Sequence, residues 1–296
     1  PCAGIDWAGD GIVKTIAIAT LGGDNVTIAN NTAKALQAPN SVVEMYGSID
    51  AVELKGTNIR VENNNITAKA EGAGFVYALN GLGMADVNIT NNTIEAYSER
   101  YIAGIQIGSD FISGIDGANV LIANNRIIGN SKNLTVLADN EAMAYGIISS
   151  TMGGNACKNT TIINNTIDMN ATVGYGLELY GTQTTTVKNN TIIMRGIYSI
   201  GMGFAHAAGN IIDSNNITTY GDSSLKIQSV VEEIVPANVG IKLQQGSGNS
   251  NITNNQILTI DENKKATTIN VVGSDDVIIK NNIVDTNVLN GEESIS

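Results

Sequence analysis

Apolar and polar residues alternate over short segments that recur along the chain. Residues 26–31 read VTIANN, residues 59–64 read IRVENN and residues 87–92 read VNITNN. A period of two places successive side chains on opposite sides of a strand, and segments this short do not fit the helical period of 3.6. The pattern predicts short β-strands that each end at an Asn-Asn corner.

Nine such corners occur, at intervals of 25 to 40 residues. The pairs are Asn30 and Asn31, Asn63 and Asn64, Asn91 and Asn92, Asn124 and Asn125, Asn164 and Asn165, Asn189 and Asn190, Asn215 and Asn216, Asn254 and Asn255, and Asn281 and Asn282. The apolar residues that follow the pairs are Ile66, Ile94, Ile127, Ile167, Ile192, Ile217, Ile257 and Ile283.

A second signature precedes most pairs, a glycine followed by an alternating segment, as in GFVY at 74–77, GIQI at 104–107 and GLEL at 176–179. Each repeat therefore holds three short strands. Such a coil buries little surface alone and must stack on its neighbours. We predict one all-β domain over residues 1–296, a parallel β-helix of about nine coils.

The paired asparagines have a structural explanation. Asn tolerates left-handed backbone dihedrals better than any residue except Gly. Stacked coils bring equivalent amides to about 4.8 Å, where donors and acceptors can form a ladder. We expect one member of each pair to turn the chain and the other to stack.

The repeat is interrupted mainly between the strand that follows an Asn pair and the next glycine-led strand. An N-terminal arm is expected at 1–11, and long loop excursions are expected at 34–51, 129–143 and 220–238. Neither end shows an obvious cap, so both terminal coils are expected to present unpaired strand edges.

The coil motif resembles that of the right-handed parallel β-helix repeat proteins, which are pectate-lyase-like in fold. The likeness extends from about Ile12 to Val284. The Asn-rich variant is most similar to adhesin-like, surface-layer and sheath proteins of methanogenic archaea. This resemblance implies a right-handed helix and an extracellular, cell-surface location. It does not fix a function, because lyases, hydrolases, epimerases, carbohydrate-binding proteins and inert surface proteins share the motif.

Composition excludes several partners. The hydrophobic fraction is 43% with only 4% aromatic residues, which suits a narrow aliphatic core. A net charge of −12 and a pI near 4.4 disfavour binding to nucleic acid. No apolar run reaches the roughly 18 residues that a membrane span requires.

A catalytic site is not expected, nor is a metal ion or cofactor. Enzymes of this fold act on the outward side of one sheet, with carboxylates that bind calcium or with paired acids. The predicted outward row is Ala17, Glu53, Val76, Gln106, Ile148, Glu178, Gly203, Lys242 and Asn270. Glu53 and Glu178 lie four coils apart, roughly 19 Å, which is too far to share a glycosidic bond.

Other candidate residues favour structure over chemistry. His206 is the single histidine, and Asp275 with Asp276 occupies an ordinary turn. Tyr145, Tyr175, Tyr180 and Tyr198 could form a strip that stacks on sugar rings, although packing among themselves is the simpler explanation. Asn133, in a long loop, is the candidate acceptor for N-glycosylation.

The two cysteines, Cys2 and Cys157, leave three alternatives open. A disulfide within one molecule requires the arm to fold along the rod. A disulfide between molecules would link an extracellular assembly, and two free thiols are the third option.

These observations favour a non-catalytic extracellular structural protein that builds a sheath, surface layer or fibre by self-association. An adhesin or glycan-binding rod, with cell-surface glycans as partners, is the alternative, and a polysaccharide lyase or hydrolase is the second alternative.

Overall fold

The computed structural model describes residues 5–6, 13–37, 48–70, 75–110, 117–131, 143–152, 157–222, 238–261 and 266–288. The regular elements within these ranges are all β-strands. In chain order they are β1 (Ile5–Asp6), β2 (Val13–Leu21), β3 (Thr27–Ala29), β4 (Thr32–Leu36), β5 (Ser48–Glu62), β6 (Asn65–Lys69), β7 (Phe75–Thr90), β8 (Thr93–Ser98), β9 (Tyr101–Asp110), β10 (Ala118–Ala123), β11 (Arg126–Ser131), β12 (Met143–Met152), β13 (Lys158–Ile163), β14 (Thr166–Asn170), β15 (Val173–Tyr180), β16 (Thr186–Lys188), β17 (Thr191–Arg195), β18 (Tyr198–Ala205), β19 (Ile211–Asp213), β20 (Asn216–Gly221), β21 (Asn238–Gln244), β22 (Asn251–Thr253), β23 (Gln256–Asp261), β24 (Ala266–Val272), β25 (Ile278–Lys280) and β26 (Ile283–Val288).

The strands form nine coils with three faces. The first face runs from β2 through β5, β7, β9, β12, β15, β18 and β21 to β24, and the second from β3 through β5, β7, β10, β13, β16, β19 and β22 to β25. The third face is a nine-stranded sheet that runs from β4 to β26. Coil one contains β2 to β4 and coil nine contains β24 to β26. Every pairing between coils is parallel, so the chain is a parallel β-helix.

The two members of an asparagine pair have different roles. The first member lies at a positive φ, as at Asn164 (55°) and Asn189 (55°), and is exposed. The second member points inward and stacks. Asn165 Nδ2 donates to Asn190 Oδ1 at 3.0 Å, and the backbone N–H of Asn165 donates to the same oxygen at 2.9 Å.

The inward asparagines form one continuous ladder with eight side-chain links. Its members are Asn31, Asn64, Asn92, Asn125, Asn165, Asn190, Asn215, Asn255 and Asn282. Each Nδ2 beyond the first coil also donates to a backbone carbonyl of the preceding coil, as Asn165 does to Ile122 O at 2.9 Å. Both Nδ2 protons of an interior member are therefore bonded, as buried amides require.

The pair in coil seven departs from the predicted arrangement. Ser214 takes the turn, with φ of 57°, and Asn215 takes the ladder position. Asn216 is the first residue of β20 and is exposed, so its assignment to the ladder is wrong. A serine can turn the chain here because only the backbone conformation is needed at that position, whereas the ladder requires an amide.

The core consists of aliphatic rows that run along the rod axis. On the third face, the register aligns Ala33, Ile66, Ile94, Ile127, Ile167, Ile192, Ile217, Ile257 and Val284. The residue of this row in coil nine is Val284 and not the predicted Ile283, which points outward and is 68% exposed.

The predicted loop excursions fall partly on strands. Residues 34–36 belong to β4 and residues 48–51 to β5, residues 129–131 to β11 and 143 to β12, and residues 220–221 to β20 and 238 to β21. Apart from Gln37 and Asp222, the remainder of each excursion, and most of the predicted arm at 1–11, lies outside the described residues. Within the arm, β1 pairs antiparallel with Val13 and Lys14, at the start of β2.

Adjacent asparagines in coil seven allow a matched test of the ladder. Asn215→Leu removes an amide that bonds to both neighbouring coils and leaves its partners buried, so the free energy of unfolding should fall by about 1–3 kcal/mol. Asn216→Leu changes an exposed residue and should alter it by less than about 0.5 kcal/mol. Urea denaturation followed by circular dichroism measures both. Equal losses would contradict the inward and outward assignment.

Candidate functional site

The outward side of the first face holds the polar and aromatic groups that could meet a ligand. Its central row is Ala19, Glu53, Asn80, Gln106, Ile148, Glu178, Gly203, Lys242 and Asn270. The predicted row is wrong at two places, because Ala19 and Asn80 stand where Ala17 and Val76 were expected. Val76 is fully buried in the core.

The shift at Val76 has a local cause. Each strand of this face carries one extra residue, which interrupts the alternation of inward and outward side chains. In coil four this extra residue is Gly104. The register pairs Tyr77 with Ala103 and Leu79 with Ile105, so Ala78 and not Gly74 is equivalent to Gly104. A Cβ at Gly104 would lie 2.4 Å from Ile127 Cγ2 and 2.7 Å from Gly146 O, which explains why small residues occupy this place.

Five aromatic side chains form a cluster on this side, which we call the outer aromatic cluster. It consists of Phe75, Tyr77, Tyr101, Tyr145 and Tyr175, from coils three to six. The ring centroids of Phe75 and Tyr101 lie 5.2 Å apart, and those of Tyr101 and Tyr145 lie 5.4 Å apart, with tilted rings in both pairs. The rings of Tyr145 and Tyr175 are stacked, with centroids 5.4 Å apart. The cluster packs apart from the main core, against Ala103 and Ile148.

The predicted tyrosine strip is only partly realised. Tyr145 and Tyr175 belong to the outer aromatic cluster. Tyr180, at the end of β15, instead contacts His206 edge to face at 5.1 Å, and Tyr198 begins β18 opposite Val173. Phe75, Tyr77 and Tyr101 were missed, because their proximity depends on a register that spacing alone does not give.

Polar groups of coils two and three border the cluster. Asn80 Nδ2 donates to Asp50 Oδ2 at 3.3 Å, and both residues are buried. Burial, followed by the nearby Asp50 carboxylate, raises the pKa of Tyr77 to about 12. Amides, a carboxylate and tyrosine rings therefore share one surface.

Glu178, on the central row, is an acid whose surroundings shift its pKa. Burial raises the pKa of Glu178 to about 7, and Lys242 on the same row opposes this shift. Burial also lowers the pKa of Lys242, while Glu178 raises it. Glu178 lies in coil six and Glu53 in coil two, so the four coil steps that separate them correspond to roughly 19 Å.

The remaining candidates lie elsewhere. His206 is exposed at a corner with φ of 52°, and Asp276 lies at another corner with φ of 55°. No group of three or more His, Cys, Asp or Glu residues that could hold a metal ion occurs within the described ranges. No helix able to span a bilayer is found in the same residues. Asn133 and Cys2 lie outside them.

Of the two cysteines, the structure describes Cys157 only. It is a free thiol, 1% exposed, packed in the core. Burial raises its pKa to about 12, so the reactive thiolate is suppressed. A disulfide from Cys157, within or between molecules, therefore stays a prediction, and this burial disfavours it.

Coil nine exposes side chains that would be core residues in any other coil. Val271 is 36% exposed, Ile279 49% and Val284 50%, whereas their counterparts in coil eight are buried. At coil one, the inward Ile28, Ala33 and Ala35 are buried. The two ends of the described rod are therefore different.

A family model described as "Right handed beta helix region" matches residues 13–212 and again residues 154–295. The two matches overlap and together extend over nearly the whole chain, as expected for a repeat. The predicted all-β fold, a right-handed parallel β-helix, is confirmed by this match and by the strand pairing. No curated protein matches the chain significantly.

Several solved structures share the fold at low identity. The surface adhesin PfbA of Streptococcus pneumoniae is 12% identical over 90% of this chain and 71% of its own, with a TM-score of 0.46. The A-module of the mannuronan C-5 epimerase AlgE4 of Azotobacter vinelandii is 11% identical over 92% of this chain and 80% of its own, with a TM-score of 0.38. These likenesses concern the fold alone.

The raised pKa of Glu178 predicts a pH-dependent stability. Its ordinary value is 4.5, so between about pH 4.5 and 7 the folded chain retains a proton that the unfolded chain releases. This group therefore lowers the stability as pH rises through that window. Glu178→Gln removes the effect, so the free energy of unfolding of the variant should rise relative to the parent between about pH 5 and pH 8. A difference that stays constant in urea titrations across that range would contradict the burial of this carboxyl.

Proposed function

Because the chain belongs to the right-handed β-helix family, we propose that it is a non-catalytic structural protein of the cell exterior, a rod that assembles with copies of itself. Membership of the family establishes the fold, which proteins of several different functions share. The geometry of the described residues supports the structural role among these functions.

Exposed apolar side chains in the middle of the rod carry the proposal. Tyr180 is 43% exposed, Ile211 46% and Tyr220 40%, and they belong to coils six and seven. Burial of such area between copies is favourable by about 25 cal/mol per Å².

The interior suits a mechanical role. The asparagine ladder joins every coil to the next through side-chain and backbone bonds. Aliphatic rows run beside it without interruption. Because each coil is fixed to both neighbours, bending or local unfolding must break several bonds together. The resemblance of the Asn-rich repeat to surface-layer and sheath proteins supports the proposed extracellular placement.

The absence of catalysis is part of the proposal. The outward row brings no second carboxylate close to Glu178, since its neighbours in the row are Ile148 and Gly203. Hydrolysis of a glycosidic bond generally needs two acids about 5–10 Å apart.

Electron microscopy of native material tests the structural role. We expect the protein in filaments or ordered arrays at the cell surface, reachable by antibody on unbroken cells. Purified protein should show a mass in sedimentation that rises with concentration. Isolated monomers at every concentration, together with antibody labelling confined to the cell interior, would contradict the proposal.

Glycan binding is a second candidate, favoured by the outer aromatic cluster. Tyr77, Tyr101 and Tyr175 are partly exposed, and the amides of Asn80 and Gln106 lie in the neighbouring row. Aromatic rings beside hydrogen-bonding groups are suited to sugars, which present apolar faces and hydroxyls.

A glycan array separates this candidate from the structural role. If the cluster binds sugars, Tyr101→Ala should abolish binding, while Tyr97→Ala on the third face should leave it unchanged. We expect no polysaccharide binding that depends on Tyr101, and no cleavage above background. Cleavage that Glu178→Gln abolishes would overturn the non-catalytic assignment, and binding lost only in Tyr101→Ala would favour the adhesin.

A further inference from the structure

The asparagines that begin an N-glycosylation motif all lie outside the core. Among the described residues, the motif Asn-x-Thr begins at Asn25, Asn30, Asn65, Asn88, Asn91, Asn159, Asn164, Asn170, Asn189, Asn216 and Asn251. None of these asparagines is buried, and no described asparagine that is buried begins such a motif. In the ladder the reason is the alternation of the strand, which places an inward apolar residue where the motif needs threonine.

Six of these motifs lie along one edge of the rod, where the second face turns into the third. We call this line of acceptors the asparagine edge, and it consists of Asn30, Asn65, Asn91, Asn164, Asn189 and Asn216. All six side chains are exposed. They belong to coils one, two, three, five, six and seven, so they extend over six coil steps or roughly 29 Å. The edge therefore presents an acceptor in nearly every coil of this stretch.

The two members of an asparagine pair differ in what their side-chain nitrogens do. In the ladder, Asn165 Nδ2 donates to Ile122 O at 2.9 Å and to Asn190 Oδ1 at 3.0 Å, so both protons are used. Within the described ranges, the amide of its neighbour Asn164 takes part in no side-chain hydrogen bond, and the other three turn residues of the asparagine edge are alike. Ser214 makes the same turn without an amide. A substituent on the turn nitrogen therefore disturbs neither the turn nor the ladder.

We propose that the asparagine edge carries N-linked oligosaccharides. This inference rests on the proposed extracellular placement, because the co-reactant is a lipid-linked oligosaccharide phosphate that a transferase uses on exported chains. The asparagine Nδ2 attacks the anomeric carbon of the sugar. An N–C bond forms, the C–O bond to the phosphate breaks, and one Nδ2 proton is released. The threonine two residues later completes the motif that the transferase recognises.

The fold determines when the transfer takes place. At Asn164 the middle residue of the motif is the ladder residue Asn165, and at Asn65 it is Ile66, which is fully buried in the core. A transferase must hold the whole motif, and a closed coil fixes the middle residue inside the rod. Transfer therefore precedes closure of the coil, and the folded rod keeps the sugar on its outward side.

Two motifs on the second face supply a contrast within the same chain. Asn88 and Asn251 lie inside the strand pairing and are half-buried, with Asn88 paired to Arg60 on one side and Leu121 on the other. A sugar at either place must displace side chains of both neighbouring coils. We therefore expect these two sites to be occupied much less than the asparagine edge in protein that has folded.

Glycopeptide mass spectrometry of the full chain from its native source tests the inference. We expect sugar on the six residues of the asparagine edge and none on Asn63 or Asn124, which make the same turn without a threonine two residues later. Surface protein without sugar on the edge would overturn the inference and leave the proposed function standing. Equal occupancy at Asn88 and Asn251 would overturn the assignment to the edge. Unmodified protein inside the cell would overturn both proposals.

Substitutions of exposed residues give a matched loss and gain of one site. Thr166→Ala should lower the mass of the protein by the one glycan on Asn164, whereas Thr166→Ser should retain it. Arg126→Thr completes a motif at Asn124 and should add one glycan in coil four. Thr166 and Arg126 are exposed, so circular dichroism should be unchanged in all three variants. A glycan that persists in Thr166→Ala, or none gained in Arg126→Thr, would contradict the proposed edge.

Discussion

The structure depends on one constraint, which is that the buried amide groups at the asparagine corner must all be hydrogen-bonded. From coil two to coil eight, the inward asparagine at each turn brings a buried amide away from water. The equivalent asparagine of the next coil, about 4.8 Å away, bonds it in every coil, together with a backbone carbonyl of the preceding coil. This requirement fixes the coil-to-coil register at one corner, and the register of the three faces follows from it.

Register then decides what each side chain meets. The aliphatic rows form because alternation begins from the same corner in every coil. The extra residue in the strands of the first face shifts that alternation, and Gly104 and its equivalents occupy the place where Ile127 and its equivalents need room. The outer aromatic cluster is a product of the same register, which brings Tyr101, Tyr145 and Tyr175 from successive coils into contact.

Much of this was predictable from sequence because both ladder and core repeat. Nine pairs with a following apolar residue predict nine coils and three faces. The wrong predictions concern positions where the residue type alone does not show which place in the coil it occupies. Asn216 looked like a ladder residue, although the distance from Asn215 to Ile217 matches that from Asn190 to Ile192. Gly74 resembled Gly104, yet Ala78 fills that place. The burial of Cys157 and the contact of Tyr77 with Tyr101 required the register itself.

Hydrogen exchange measured by mass spectrometry in the parent protein and in Asn165→Leu tests the central claim most directly, because protection reports how firmly each backbone edge is bonded. If the ladder fixes the register of the coils, peptides from coils four to six lose protection together in the variant, while those from coils one and two do not change. Loss confined to the substituted corner, or no loss at all, would contradict the account.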